Sequence, residues 1–305
     1  MKGFRYILLL CIILSFFGCK KFKGSQEIPA YLRIEPWSFA TNYDNEGAAT
    51  YSLPDAWVYV DGSLQGCFEM KSHDDGKYAM IPVLKEGVHK LQIYPGVKLN
   101  GISSTRIQYP FYKPYVISHD FTQGEISTIT PSTRYYSADS TSMRFRILED
   151  FEDENNIKID STVKSQTRVK QISHRTNPNA WIDPYDTINH YRSGWIHLGD
   201  SIKKFEIACE ELTDFPGTGK YTILEMDYKC TADIVIGMYY MTTQISYDDL
   251  YYLRPTDTWK KIYINFSPQI TENYNATYIK FYLGGQISNG TADYYFDNIK
   301  LIYRE

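Results

Sequence analysis

The chain has 305 residues, of which 43% are hydrophobic and 22% charged, a balance that excludes a disordered chain and allows two packed domains. Its 32 basic and 36 acidic residues give a net charge of -4 with no long block of either sign, so binding driven by phosphate neutralisation is excluded and no nucleic-acid partner is expected. Tyr alone contributes 28 residues, and an aromatic-rich chain of this kind favours β-structure.

Lys2 and Arg5 precede the apolar run Tyr6 to Phe17, which ends in Gly18-Cys19. A charged start, a short apolar stretch and a small residue before the break form an export signal over residues 1–18. The apolar run is too short to span a bilayer core of about 30 Å. Phe16-Phe17-Gly18-Cys19 resembles a bacterial lipobox, although its two Phe replace the usual small aliphatic residues. The resemblance implies that Cys19 is acylated and becomes the first residue of a membrane-tethered lipoprotein. Loss of residues 1–18 removes two basic and no acidic residues, leaving 30 against 36 and a net charge of -6. Residues 19–27, with Lys20, Lys21 and Lys23, read as a flexible tether. The expected location is the outer membrane, with the periplasmic and cell-surface faces both open. Cys67, Cys209 and Cys230 then remain, enough for one disulfide at most, and buried free thiols are the simpler expectation.

Residues 28–136 are punctuated by Gly, Pro, Asn and Asp in the manner of strands. Trp57 to Val60, Asp61-Gly62 and Leu64 to Phe68 make a hairpin signal. Val88 to Ile93 alternates, bracketed by Gly87 and by Pro95-Gly96, so His89, Leu91 and Ile93 should share an inner face and His89 should be structural. Val60-Asp61-Gly62, Gly66 and Leu84-Lys85-Glu86-Gly87-Val88-His89 resemble the PEGA module, a small transthyretin-like β-sandwich. The resemblance covers about 40 residues and departs at Cys67-Phe68-Glu69. It implies a spacer or binding domain without catalysis. Tyr109 to Tyr115 is an aromatic cluster broken by Pro110 and Pro114, read as a loop folded over the sandwich edge or as an exposed docking patch.

Ser137 to Ser142 contains no large apolar residue and marks a linker at 137–142. From 143 to 305, strand signals recur at 144–148, 194–198, 221–228, 233–239, 259–266, 278–283 and 294–302, which suits a jelly roll. The absence of alternating strands and helices excludes a doubly wound nucleotide-binding sheet. Glu149-Asp150-Phe151-Glu152, Leu224 to Tyr228, Trp259 to Ile262 and Tyr295 to Leu301 resemble galactose-binding-like jelly rolls, which include carbohydrate-binding modules. The fold class expected is therefore all-β, a small PEGA-like sandwich followed by a jelly roll.

No phosphate loop, His-Glu-x-x-His, Gly-x-Ser-x-Gly or Cys-x-x-Cys occurs, so no enzyme is expected and no cofactor is required. His190 and His197 form a close pair without further ligands at a recognised spacing. Glu149, Glu152 and Asp297, with Asp150 and Asp153, are candidate ligands, and the resemblance implies a structural calcium ion there; a solvated acidic edge is the alternative. For a glycan, flat apolar rings beside amides and carboxylates are the relevant chemistry. Trp181, Tyr185, Tyr191 and Trp195 in one Asn-, Asp- and Gly-rich stretch, and Tyr247, Tyr251 and Tyr252 in a second loop, are candidates. The combination of a lipobox, a PEGA-like domain and a jelly roll resembles Bacteroidota envelope lipoproteins, some of them accessory subunits of outer-membrane assembly or transport complexes. This implies a non-catalytic scaffold with an outer-membrane protein partner, with carbohydrate binding through the jelly roll as the alternative.

Overall fold

The computed structural model describes residues 28–70, 80–137, 142–153 and 156–304. The expected signal at 1–18, Cys19, the tether at 19–27 and linker positions 138–141 lie outside the described residues. The fold is all-β. In the first half the strands are β1 (Ala30–Ile34), β2 (Ser38–Ala40), β3 (Asp55–Val60), β4 (Ser63–Glu69), β5 (Met80–Val83), β6 (Gly87–Lys98), β7 (Arg106–Gln108), β8 (Tyr115–Phe121), β9 (Ile126–Ile129) and β10 (Ser132–Arg134). One helical turn, α1 (Tyr43–Glu46), and a 3-10 turn, Leu99–Gly101, interrupt them.

The hairpin forms as expected. Asp61 (φ 49°) and Gly62 (φ 77°) both take the left-handed conformation that a two-residue type I′ turn demands, and β3 pairs antiparallel with β4. On β6, Leu91 and Ile93 are buried while Val88 and Lys90 are exposed. His89 faces with the buried set, and its Nδ1 lies 2.7 Å from Asp61 Oδ2, which ties strand to turn. The strand does not stop at Pro95. It pairs with β8 up to Ile93 and with β7 from Gly96, so the residue without an N–H falls where one partner strand ends and the next begins.

The second half contributes β11 (Met143–Glu149), β12 (Asp160–Ser161), β13 (Lys170–Ser173), β14 (Arg192–Leu198), β15 (Lys204–Ala208), β16 (Thr222–Cys230), β17 (Ile234–Met241), β18 (Ile245–Leu253), β19 (Thr256–Asn265), β20 (Tyr278–Gln286) and β21 (Ala292–Arg304), with α2 (Ser267–Glu272). A six-stranded sheet in the order β13-β14-β21-β16-β19, with β11 also on β21, packs against a five-stranded sheet in the order β12-β15-β20-β17-β18. Between them lies a core that includes Ile196, Phe205, Leu224, Met226, Ile236, Met238, Phe281 and Phe296. Tyr247, Tyr251 and Tyr252, expected in a loop, lie on the edge strand β18. Asp248 and Asp249 weaken its strand signal, and an edge tolerates them because one flank is open to water.

The outer face of the six-stranded sheet is not free. Ile223, Tyr263 and Ile302 project from it into the core of the first half, alongside Phe39, Tyr109, Phe111, Tyr112 and Tyr135. The aromatic cluster at 109–115 is thus neither an outer edge loop nor a docking patch at its centre: Tyr109, Phe111 and Tyr112 are buried against the second half. Beneath them sits Glu225. Its carboxylate accepts hydrogen bonds from Tyr109 (2.5 Å) and Tyr135 (2.9 Å) and faces the ammonium groups of Lys261 (3.4 Å) and Lys300 (3.9 Å). The lysines reach across to the first half, Lys261 donating to Thr50 Oγ1 (2.9 Å) and Lys300 to the Glu46 carbonyl (2.6 Å). Burial pulls the Lys300 ammonium down to about 8, against the attraction of Glu225. Cys209 and Cys230 are buried free thiols.

Removing one member of a buried ion network leaves the others desolvated without their partner, at a cost of about 3–5 kcal/mol. Glu225→Ala should lower the unfolding free energy by that order in a denaturant titration, with far-ultraviolet and tyrosine signals still moving together. A loss below about 1 kcal/mol would show that the network does not hold the two halves.

Candidate functional site

With the six-stranded sheet covered, the five-stranded sheet presents the open face of the second half. Strand alternation sends Ile234, Ile236 and Met238 of β17 inward and Val235, Gly237 and Tyr239 outward. The same alternation puts Tyr278, Lys280, Tyr282, Gly284 and Gln286 of β20 on the outer face. Register then assembles rows across the sheet. Glu206, Gly284, Val235 and Tyr252 form one; Tyr282, Gly237 and Asp249 form the next; Lys280, Tyr239 and Tyr247 form a third.

Two glycines shape this surface. A Cβ on Gly237 would overlap the Tyr282 phenol and the Asp248 carbonyl, so the missing side chain is what lets the Tyr282 ring lie across β17. Its hydroxyl donates to Asp249 Oδ1 and to the Asp248 carbonyl (3.1 Å). A Cβ on Gly284 would come 2.9 Å from Val235 Cγ1, and its absence keeps a hollow between β15 and β18. Tyr239 packs against Tyr282 at 4.9 Å and Tyr247 at 5.5 Å between ring centroids. Tyr239 donates to Glu206 Oε1 (2.6 Å), which also accepts from Thr162 Oγ1 (2.6 Å). Burial, reinforced by these carboxylate acceptors, pushes both the Tyr239 and Tyr282 phenols well up. They stay neutral donors across the physiological range.

The outer face holds two hollows. One, of about 390 Å³, is lined by Lys204, Glu206, Val235, Tyr247, Asp249, Tyr252 and Gln286 among others. The other, of about 580 Å³, lies toward Thr162, Tyr239, Ile245, Tyr278 and Lys280. Tyr247 and Tyr252 are 52% and 61% exposed, so their rings are available to a ligand. Flat rings beside carboxylates, amines and an amide can stack on an apolar face and bond to hydroxyls.

Of the seven candidate rings, Tyr247 and Tyr252 line a hollow on this face. Tyr251 turns toward the core edge and donates to the Asn265 carbonyl (3.1 Å). Trp195 stands on β14 in the other sheet, its indole N–H bonded to Asp293 Oδ1 (2.9 Å). Trp181 is half-buried beside β14, its backbone N–H bonded to Ser193 Oγ (2.7 Å), and Tyr185 is 83% exposed in the same long loop. Tyr191 is buried. That loop covers the far end of the six-stranded sheet, where Asn179 accepts from Lys229 Nζ (2.8 Å) and from the Trp259 indole (3.0 Å). Tyr239, Tyr282, Lys164 and Glu206 escaped the sequence reading. The period-two pattern of β17 and β20 was the signal that could have found the two tyrosines.

The candidate calcium ligands do not converge. Glu149 is buried and accepts backbone N–H bonds from Phe151 (2.7 Å) and Lys158 (2.5 Å). Asp297 accepts from Ser193 Oγ (3.1 Å) and the Asn298 N–H (2.7 Å). Glu152 accepts from the Arg192 N–H (2.9 Å). Among the described residues no group of three His, Cys, Asp or Glu side chains is arranged to hold a metal ion. His190 instead stacks on Tyr43 at 3.5 Å, and His197 Nδ1 lies 2.9 Å from Asp293 Oδ1.

No family model and no curated protein matches this chain. Among solved structures it is similar to a xylan-binding domain of Paenibacillus barcinonensis, at 15% identity over 52% of this chain and 96% of that one, with a TM-score of 0.37. It is also similar to a family 11 carbohydrate-binding module from Clostridium thermocellum bound to a β-1,3-1,4-mixed-linked tetrasaccharide, at 17% identity over 52% and 94% of the two chains, with a TM-score of 0.32. A third similarity is to carbohydrate-binding modules of the β-sandwich superfamily, at 10% identity over 80% and 83%, with a TM-score of 0.36.

Burial raises the Glu152 carboxyl to about 7, against the stabilising Arg192 N–H and guanidinium. A folded pKa above the unfolded one, near 4.3, means that the native state binds the extra proton. The associated stability is fully present below about pH 4 and is lost as pH rises through 7. Thermal unfolding should therefore show a midpoint that falls between pH 5 and 7.5, and Glu152→Gln should flatten that fall. An unchanged slope in the variant would contradict the assignment.

Proposed function

We propose that this protein binds a glycan chain on the outer face of the five-stranded sheet and is not an enzyme. The observation that carries the reading is the tyrosine surface of Tyr239, Tyr247 and Tyr252 above the buried Tyr282, flanked by Glu206, Asp249, Lys204 and Gln286. Sugar rings offer an apolar face to stack and hydroxyls to bond, and this surface supplies partners for both. The scaffold reading rests on the resemblance of the lipobox, PEGA-like domain and jelly roll to envelope lipoproteins, and an exposed aromatic patch at 109–115 would have favoured it. Those rings are spent inside the molecule, which supports the glycan reading over the scaffold. We further propose that Cys19 carries a lipid that tethers the binding face at the outer membrane, as its lipobox-like setting implies.

Affinity electrophoresis against plant and bacterial polysaccharides, followed by calorimetry on the retarding species, tests the reading. Tyr247→Ala and Tyr252→Ala should each weaken binding about three- to tenfold, the order of an aromatic contact. Tyr185→Ala, a comparably exposed ring away from the face, should leave it unchanged. Equal effects at all three positions, or no retardation by any polysaccharide, would refute it. Separately, Cys19→Ala should shift the protein from the membrane to the soluble fraction of the expressing cell.

A further inference from the structure

The two hollows on the five-stranded sheet share one lining side chain. Lys164 lines both of them. Its ammonium stands 3.4 Å from the centroid of the Tyr247 ring and 4.9 Å from that of Tyr239, and Nζ lies 3.7 Å from Glu206 Oε2. Tyr247, one of the two exposed rings of the proposed binding surface, thus has a stacking face already occupied, by a cation from the opposite edge of the sheet.

The base of this side chain is fixed while its tip is not. Val163 and Lys164 are the central residues of a turn closed by the Ser165 N–H to the Thr162 carbonyl (3.1 Å). That turn is bonded to β15 on both sides: the Thr162 N–H donates to the Glu206 carbonyl (2.9 Å), Thr162 Oγ1 to Glu206 Oε1, and the Glu206 N–H to Ser165 Oγ (3.0 Å). The four-carbon stem then leads away from an anchored backbone toward β18, with about a third of the side chain exposed. The contacts at its end are two cation–π contacts and one ion pair at 3.7 Å, each weakened because the ammonium is partly open to water. A lever with a firm base and a weakly held end moves aside at low cost.

We propose that Lys164 is a movable partition across the groove, holding the stacking face of Tyr247 until a glycan long enough to enter both hollows displaces it. The inference rests on the glycan reading and deepens it: the partition makes the site discriminate by chain length. A disaccharide fits one hollow with the partition in place. A longer chain must move it, and regains the Tyr247 face in return.

Two measurements separate this proposal from the reading on which it rests. The first uses the free protein labelled with carbon-13, in which the Lys164 ε-methylene protons, assigned by their loss in Lys164→Ala, should be shifted upfield by the Tyr247 ring. Resonances at ordinary lysine positions would overturn the partition whatever the protein binds. The second is calorimetry of wild type and Lys164→Ala with cello- and xylo-oligosaccharides of two and six residues. Removal of the partition should tighten binding of the hexasaccharide about two- to fivefold, the factor a surface cation–π contact is worth, and leave the disaccharide unchanged. On addition of hexasaccharide to wild type, the upfield shift should disappear. If Lys164→Ala binds the hexasaccharide as well as wild type or more weakly, the partition is overturned and glycan binding stands. Absence of binding to either ladder and to every polysaccharide of the panel would overturn both.

Discussion

Burying Glu225 between two lysines and two phenols is the constraint from which the rest of the architecture follows. A carboxylate taken out of water is tolerated only if every partner is in place. Here the partners come from both halves: Lys261 and Lys300 from the six-stranded sheet, Tyr109 and Tyr135 from the first sandwich. Neither half can satisfy the group alone. The phenols are in turn held in a ring cluster in which Tyr109 packs on Tyr112 at 4.4 Å and on Tyr263 at 5.0 Å. The docking of the two halves is thereby specified by polar geometry and sealed by aromatic area.

A jelly roll has two outer sheet faces, and committing one of them to this interface leaves the other for recognition. That division explains the contrast between the two sets of tyrosines. Those at the interface between the halves are buried in hydrophobic packing, Tyr109 and Tyr135 with their hydroxyls on Glu225 and Tyr263 accepting from the Ser52 N–H (3.0 Å). Those on the five-stranded face form a graded surface, with Tyr282 buried as a floor, Tyr239 partly covered above it, and Tyr247 and Tyr252 open to solvent. A floor of this kind keeps the exposed rings from collapsing into the sheet, so the surface stays formed without a ligand.

How much of this was legible in the sequence depended on whether the signal was local. The Asp61-Gly62 turn, the alternation of β6 and the long strands β16, β19 and β21 follow from neighbouring residues, and they were read correctly. Tyr109 to Tyr115 was read as aromatic and interrupted by prolines, yet its burial depends on Glu225, which lies 116 positions from Tyr109. Part of the binding surface was missed for a related reason: Tyr247 and Tyr252 were among the candidate rings, and Tyr239 and Tyr282 were not. Candidate rings were sought in loops rich in Asn, Asp and Gly, whereas the surface lies on strands. β18 was taken for such a loop because Asp248 and Asp249 interrupt it. The calcium expectation came from the jelly-roll resemblance, which set Asp297 beside the acidic run at 149–153, and the backbone turns Glu149 and Glu152 to accept N–H bonds from their own surroundings.

The carboxylates on the open face follow the same logic as Glu225. Glu206 accepts from Thr162 and Tyr239, and Asp249 accepts from Tyr282, so each is engaged in holding a ring or a turn in position. Tying a ring through its hydroxyl fixes its tilt, which a stacking surface requires and which packing alone leaves loose. The sequence keeps acidic residues on a solvent-facing sheet at the two places where a tyrosine must be oriented. It keeps Gly237 where Tyr282 must lie flat. On this face the ordered groups belong to the floor, and freedom is confined to the exposed rings of Tyr247 and Tyr252 and the stem of Lys164, the groups that a ligand would meet first.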